Sequence, residues 1–321
     1  MQDMLERPTG DAKLPEGFVG KIAAWLGEGR AAAGTPVPAA LQTIDMPWRG
    51  KGLRETFTRV AGLAALLSTP RDARLDTVVV FLNSGAEPHI GPGRAWVEYA
   101  RALASRGHAC LRTDFSGWGE SPDEGHRPGR PYDEHCVPDT LRIVAALRGR
   151  YRRIVLAGLC AGAWVALKAA QQIRVDGVFA LNPQLYWKPG LPVIIRDPEA
   201  FEWRTPMRER HRKAARWQLW SFLDLLGIRP MAAHWLTALR KNRTRVILSF
   251  AAGDDGLVFL RDRCARRLAR ELRCGYLTVE ETAGIDHQMY RLWMRPAIVE
   301  QMAHFLEALP ATPDDGVKIK P

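Results

Sequence analysis

Between residues 77 and 182 the chain alternates short, continuously apolar runs with longer segments of helical period, and few architectures accommodate that pattern. "TVVVFL" (77–82), "ACLRTDF" (109–115), "RIVLAG" (153–158) and "DGVFALN" (176–182) read as strands buried on both faces. Between them, "RAWVEYARALASRG" (94–107) and the segments near 138–149 and 161–173 place apolar residues at helical spacing. Consecutive buried strands joined by crossover helices must run parallel, with helices over both faces. The expected fold is therefore α/β, with a doubly wound, mostly parallel sheet. The alternation stops between Pro183 and Asn242, a stretch rich in Trp, Arg and Pro, and resumes with strand "RVILSFAAG" (245–253), a helix over 257–273, strand "YLTVEE" (276–281) and a terminal helix over about 289–309. The interruption reads as a helical cap insertion over the C-terminal edge of the sheet. Upstream, "ETFTRV" and "LAALLST" flank Ala61-Gly62 as an antiparallel hairpin. The expected organisation is an N-terminal extension over 1–50 with a short helix around 18–26, a core over 51–183 and 243–310, a cap over 184–242, and a disordered tail over 311–321.

The bulk numbers narrow the function. With 321 residues, 46% hydrophobic and 25% charged, the chain suits a soluble globular protein with a sizeable core. A net charge of +11 favours acidic or phosphorylated partners, yet no RRM, zinc-finger or basic-zipper signature accompanies it, so no nucleic-acid partner is expected. The first twenty residues lack a basic start and an apolar segment, and no run approaches the roughly 20 apolar residues of a membrane span. Five scattered cysteines, Cys110, Cys136, Cys160, Cys264 and Cys274, show no paired spacing, which argues against both a disulfide framework and a metal site and fits a reduced, cytoplasmic setting.

Chemistry concentrates at "AGLCAG", residues 157–162. Gly158-Leu159-Cys160-Ala161-Gly162 stands between an expected strand and an expected helix, where a sharp turn lifts one side chain clear of the sheet and small neighbours leave room for the helix. The helix N-terminus then favours a reactive thiolate at Cys160. The plainer reading is a buried cysteine at a tight turn. A nucleophilic thiol needs a base, and the base an orienting acid. Asp254-Asp255 closes a later strand and His287 follows the last one, so all three loops leave the carboxyl ends of parallel strands, where such sheets bind ligands.

In this order of nucleophile, acid and histidine the chain resembles the α/β-hydrolase superfamily over roughly residues 50–310. "TDFSGWGES" is similar to that family's Asp-x-x-Gly-x-Gly-x-Ser loop, present as Asp114, Gly117, Gly119 and Ser121. The resemblance implies an oxyanion hole from the backbone N–H groups of Ala86 and Ala161, with Ser84-Gly85 where the family often has His-Gly. The acid is Asp254, directly after Gly253, or Asp255, with the other member of the pair capping the following helix. Asp286 is a further possible cap. His89, beyond the first strand of the alternation, and Trp187, in the insertion, are candidate substrate contacts. Cys110, Cys264 and Cys274 read as packing, and Cys136 beside His135 as a poor Cys-His pair, because adjacent residues rarely face each other.

Sulfur shapes the expected substrate. Thioester-to-thioester exchange is nearly isoenergetic, so a cysteine suits acyl groups arriving on coenzyme A or a phosphopantetheine-bearing carrier protein, with no other cofactor. Arg196, Arg204, Arg208, Arg210, Arg212, Lys213 and Arg216 could attract such phosphates, and Trp187, Trp203, Trp217 and Trp220 could line an acyl pocket; equally they are a solvated helix face and its packed underside. Cysteine elbows in the family occur in acyltransferases, dienelactone hydrolases and small thioesterases. The expectation is an acyl hydrolase or acyltransferase, with lactone cleavage or a catalytically inactive binding module as alternatives.

Overall fold

The computed structural model describes residues 43–71, 75–85, 87–124, 132, 134–185 and 234–310, with a few isolated positions elsewhere. Of the expected helix around 18–26, positions 20, 21, 23 and 24 are described and are helical; most of the cap lies outside the described residues, as do Ala86, Trp187 and the tail over 311–321. The chain forms two units, Met1–Leu41 and Gln42–Pro321.

The second unit is built on a nine-stranded sheet in the order β1-β2-β3-β5-β4-β6-β7-β8-β9. β1 (Thr43–Trp48), β2 (Lys51–Val60) and β3 (Leu63–Pro70) form an antiparallel meander, and β3 pairs antiparallel with β5 (Ala109–Thr113). From β5 onward the sheet is parallel: β4 (Thr77–Phe81), β6 (Arg153–Leu159), β7 (Gly177–Leu181), β8 (Arg245–Ala251) and β9 (Leu277–Thr282). The hairpin turn at Ala61-Gly62 has φ of 52° and 86°, the double positive φ that matches strand twist in a two-residue loop. β1 was not expected, since 43–48 fell inside the N-terminal extension. It is an edge strand with a proline and mostly exposed side chains, so it carries no buried alternation to betray it.

Alternate strand residues serve opposite faces. Val78, Val80, Leu156, Val178 and Leu248 pack in one apolar cluster with α2 (Cys136–Arg148), α3 (Ala161–Gln172), α4 (His234–Lys241), α5 (Asp255–Arg263) and α6 (Ala265–Arg273). Val79, Phe81, Val155, Phe179 and Ile247 pack in the other with α1 (Ala95–Ala104) and α7 (Arg295–Glu307). The sheet is thus doubly wound. Because α1 follows β4 on one face and α3 follows neighbouring β6 on the other, these two strand ends are the switch point at which open sheets of this kind bind ligands.

Three boundaries differ from expectation. Leu236 and Leu239 of α4 are buried in the sheet's core, so this helix belongs to the core although it falls within the expected cap. The helix expected over 257–273 is two helices, broken at Cys264 where φ falls to −121°. The terminal helix begins only at Arg295, with Pro296 in its first turn, because Met289 has φ of 57° and residues 292–294 form a 3-10 turn. Cys274, expected to pack, is exposed, since it ends α6 at the surface. Among the described residues no helix is long and apolar enough to cross a membrane.

Candidate active site

Cys160 stands between the last residue of β6 and the first of α3 with φ 55° and ψ −111°. A non-glycine residue in this region costs about 1–3 kcal/mol, so the surrounding structure must hold it there. It is held on both sides: Cys160 N donates to Leu181 O at 2.9 Å, and Cys160 O accepts the first helical bond from Trp164 N at 3.1 Å. Two glycines make the turn possible. A Cβ on Gly158 would lie 2.3 Å from the backbone of Gly162, and one on Gly162 would lie 2.5 Å from Asn83 O. Gly162→Ala is therefore expected to destabilise the fold by about 1–3 kcal/mol, because the colliding atoms are backbone and cannot swing aside. A thermal unfolding midpoint unchanged from the parent protein would contradict this.

Asp254 and His287 meet across two strand ends. His287 Nδ1 lies 2.5 Å from Asp254 Oδ2, while Asp254 Oδ1 accepts from Gly256 N at 2.8 Å. One carboxylate thus orients the imidazole and caps α5 at once. The expected division of labour, with orienting acid and cap on different members of the pair, is corrected: each oxygen of Asp254 does one task, and Asp255 points to solvent in the first turn. Asp286 accepts from Gln288 N and Met289 N and caps a turn, not a helix.

Burial alone would discharge His287, but hydrogen bonds to Asp254 and to Cys160, and the negative charge of both, push its pKa up to about 10. Cys160 and Asp254 thus both act on this imidazole. A histidine raised from the ordinary 6.5 to about 10 contributes stability that is fully present below pH 6.5 and lost as pH rises through 10. Urea unfolding between pH 6.5 and 10 should show the parent protein losing stability relative to His287→Gln; parallel curves would refute the charged imidazole.

Asn182 positions these loops and gave no signal beyond ending a strand. Fully buried at the end of β7 with φ 43°, it accepts from Ala251 N at 2.7 Å and donates to the carbonyls of His287, at 3.0 Å, and Asp286, at 3.3 Å. One amide thereby ties the acid-bearing loop to the histidine-bearing loop. Tyr132 was missed as well, because it sits in a Gly/Pro-rich loop without a motif. Its hydroxyl lies 3.1 Å from Cys160 Sγ and donates to Gln184 Oε1 at 2.7 Å.

The motif residues 114–121 form a second hydrogen-bonded cluster, centred on Asp114. Asp114 Oδ1 accepts from Asn83 Nδ2 at 2.8 Å and from His89 N at 2.6 Å. Its Oδ2 accepts from Glu120 N at 3.2 Å and faces His89 Nδ1 at 2.9 Å. Gly119, with φ 48°, passes so close that a Cβ would sit 2.1 Å from Asp114 Oδ2. Burial raises the Asp114 pKa, but His89, Glu120 and Asn83 together hold it below the ordinary carboxylate value. Ser121 Oγ, bonded to Asp114 O and Ala64 N, closes the loop on β3. His89 is thus brought to Asp114 and Glu120, and its imidazole faces these two carboxylates. His89, Asp114 and Glu120 gather possible cation ligands within 4.8 Å, though the oxygens of Asp114 are already occupied by the hydrogen bonds above. Ala161 opens α3, so its N–H belongs to the first-turn donors left unpaired by the helix.

Known structures share the fold. TT1662 from Thermus thermophilus superposes with a TM-score of 0.52 at 18% identity, covering 80% of this chain and 99% of its own. The esterase Pf2001 from Pyrococcus furiosus gives 0.51 at 15% identity, covering 83% of this chain and 91% of its own. No curated protein matches the sequence. The model of the alpha/beta hydrolase family matches residues 79–312, a span that runs from within β4 past the end of α7 and includes Cys160, Asp254 and His287. The chain therefore belongs to the alpha/beta hydrolase family.

Proposed function

We propose that this protein is an acyl hydrolase or acyltransferase that works through an acyl-cysteine intermediate. Cys160 is the nucleophile, His287 the base and Asp254 the orienting acid. The observation that carries the reading is the contact of 2.5 Å between Asp254 Oδ2 and His287 Nδ1, together with Cys160 on its strained turn acting on the same imidazole. His287 holds the thiol proton, so sulfur attacks the acyl carbon as the thiolate, and the carbonyl electron pair moves to oxygen. Collapse of that oxyanion expels the leaving thiolate or alkoxide, which takes the proton from His287. Water, or another acceptor activated by the same imidazole, then releases the acyl group. Backbone N–H groups of Ala86 and Ala161 are the proposed donors to the oxyanion.

Sulfur favours a thioester donor, so the proposed substrates are acyl groups on coenzyme A or on carrier-bound phosphopantetheine, with activated esters as slower analogues. The test is intact-mass spectrometry after exposure to acetyl, hexanoyl and benzoyl thioesters of N-acetylcysteamine. A mass increase equal to one acyl group, mapped to Cys160, is expected. No adduct and no turnover with any of them would favour a binding module in place of an enzyme.

A further inference from the structure

We propose that Tyr132 is a catalytic residue, whose side-chain hydroxyl stabilises the charge that builds on Cys160 and on the oxyanion. The role rests on the acyl-cysteine reading above and adds a side-chain donor to the proposed backbone ones. The hydroxyl is placed from two directions: Oη is 3.1 Å from Cys160 Sγ and 2.7 Å from Gln184 Oε1, and the residue is only 5% exposed. The ring is placed too. It meets Trp164 edge to face at 6.0 Å, and Trp164 is fully buried one turn beyond Cys160 on α3. Gln184 follows Asn182 by two residues at the end of β7, so the same strand end that fixes the histidine loop fixes the acceptor of the tyrosine. Backbone at Tyr132 has φ of 63°, and a bulky residue held there needs a compensating gain.

The chemistry follows from what a phenol can do. It has one hydrogen to donate and lone pairs to accept. In the resting site Oη–H donates to Gln184 Oε1, and sulfur lies 3.1 Å from the same oxygen. With the thiol proton on His287, sulfur offers Oη nothing to accept, and rotation about the C–O bond turns the phenol hydrogen from Gln184 towards the negative charge. As the S–C bond forms and the carbonyl π pair moves to oxygen, the hydroxyl, already 3.1 Å from sulfur, donates to the oxyanion. Tyr132 keeps its proton throughout, and the proton reaching the leaving group is still the one from sulfur.

Tyr132→Phe keeps the ring against Trp164 and removes only the hydroxyl. The measurement is the rate at which an acyl group from N-acetylcysteamine thioesters loads on Cys160, followed by rapid quench and intact mass. Rates are normalised to the folded fraction from thermal unfolding, so a destabilised variant remains informative. The expected result is loading slower by roughly 10²–10³-fold, the usual effect of removing one preorganised oxyanion donor, with KM changed less than about threefold. A packing role predicts no such split. If the parent protein loads and Tyr132→Phe loads within threefold of it, the catalytic role is overturned while the acyl-cysteine reading stands. If the parent protein never loads, that reading falls and the role of Tyr132 falls with it.

Discussion

Cys160→Ala is expected to yield a folded protein that takes up no acyl group and turns over substrate at least about 10⁴-fold more slowly, the range seen when a nucleophile is removed from a triad. The fold should survive, because alanine also has a Cβ and meets the same strain at φ 55°. The bonds that hold this turn, Cys160 N to Leu181 O and Trp164 N to Cys160 O, are backbone and do not depend on the sulfur. The loss is therefore chemical. Iodoacetamide supplies a control that needs no substrate: labelling should fall on Cys160 and disappear in the variant. Cys110, Cys136 and Cys264 are buried, and burial pushes the Cys110 thiol up, away from reactivity. Cys274 is the exposed competitor, so peptide mapping is required. Turnover retained in Cys160→Ala would remove the proposed nucleophile outright.

Asp254→Asn should lower kcat by roughly 10³–10⁴-fold and, at neutral pH, give up part of the stability that the charged His287 contributes, whereas Asp255→Asn should leave kcat within about threefold. The contrast rests on the two oxygens of Asp254. Asparagine can still accept from Gly256 N through its carbonyl oxygen, since it caps helices as well as aspartate does. It cannot supply the negative charge facing His287 Nδ1, so the imidazole loses both its tautomer and the stabilisation of its protonated form. Asp254→Ala should lose the cap as well, adding about 1 kcal/mol of destabilisation. Asp255 is exposed in the first turn of α5, where its charge interacts only with the helix end, worth about 0.3–1 kcal/mol. Steady-state rates on the fastest-loading thioester, with thermal unfolding alongside, separate the effects. Equal loss of activity in both asparagine variants would contradict the assignment of Asp254.

Much of this architecture is written in local patterns. The parallel strands are continuous apolar runs because both faces are covered, and the helices between them carry their own period, so β4 through β9 are legible within a residue or two. The elbow is legible for the same reason, since Gly158 and Gly162 announce a close strand-to-helix approach. β1 was hidden because it lies at the sheet edge without a buried face, and the start of α7 because the turn at Met289 interrupts a stretch that stays apolar. Within the candidate site, motif and chain order reach Cys160, His287 and the aspartate pair. They do not reach Asn182, an amide that links loops 69 and 105 residues away, or Tyr132, 28 residues before the sulfur it touches.

What the sequence by itself determined is the winding of the sheet and the strand ends from which the reactive side chains emerge, because hydrophobic period and glycine spacing act over a few neighbouring residues. Tertiary structure alone decided which aspartate faces His287, that this aspartate also caps its helix, and that an amide and a phenol from unrelated loops complete the site. The physical reason is range. A hydrogen bond 2.5 to 3.1 Å long joins side chains wherever the fold brings them together, and nothing in the local order of residues records that meeting.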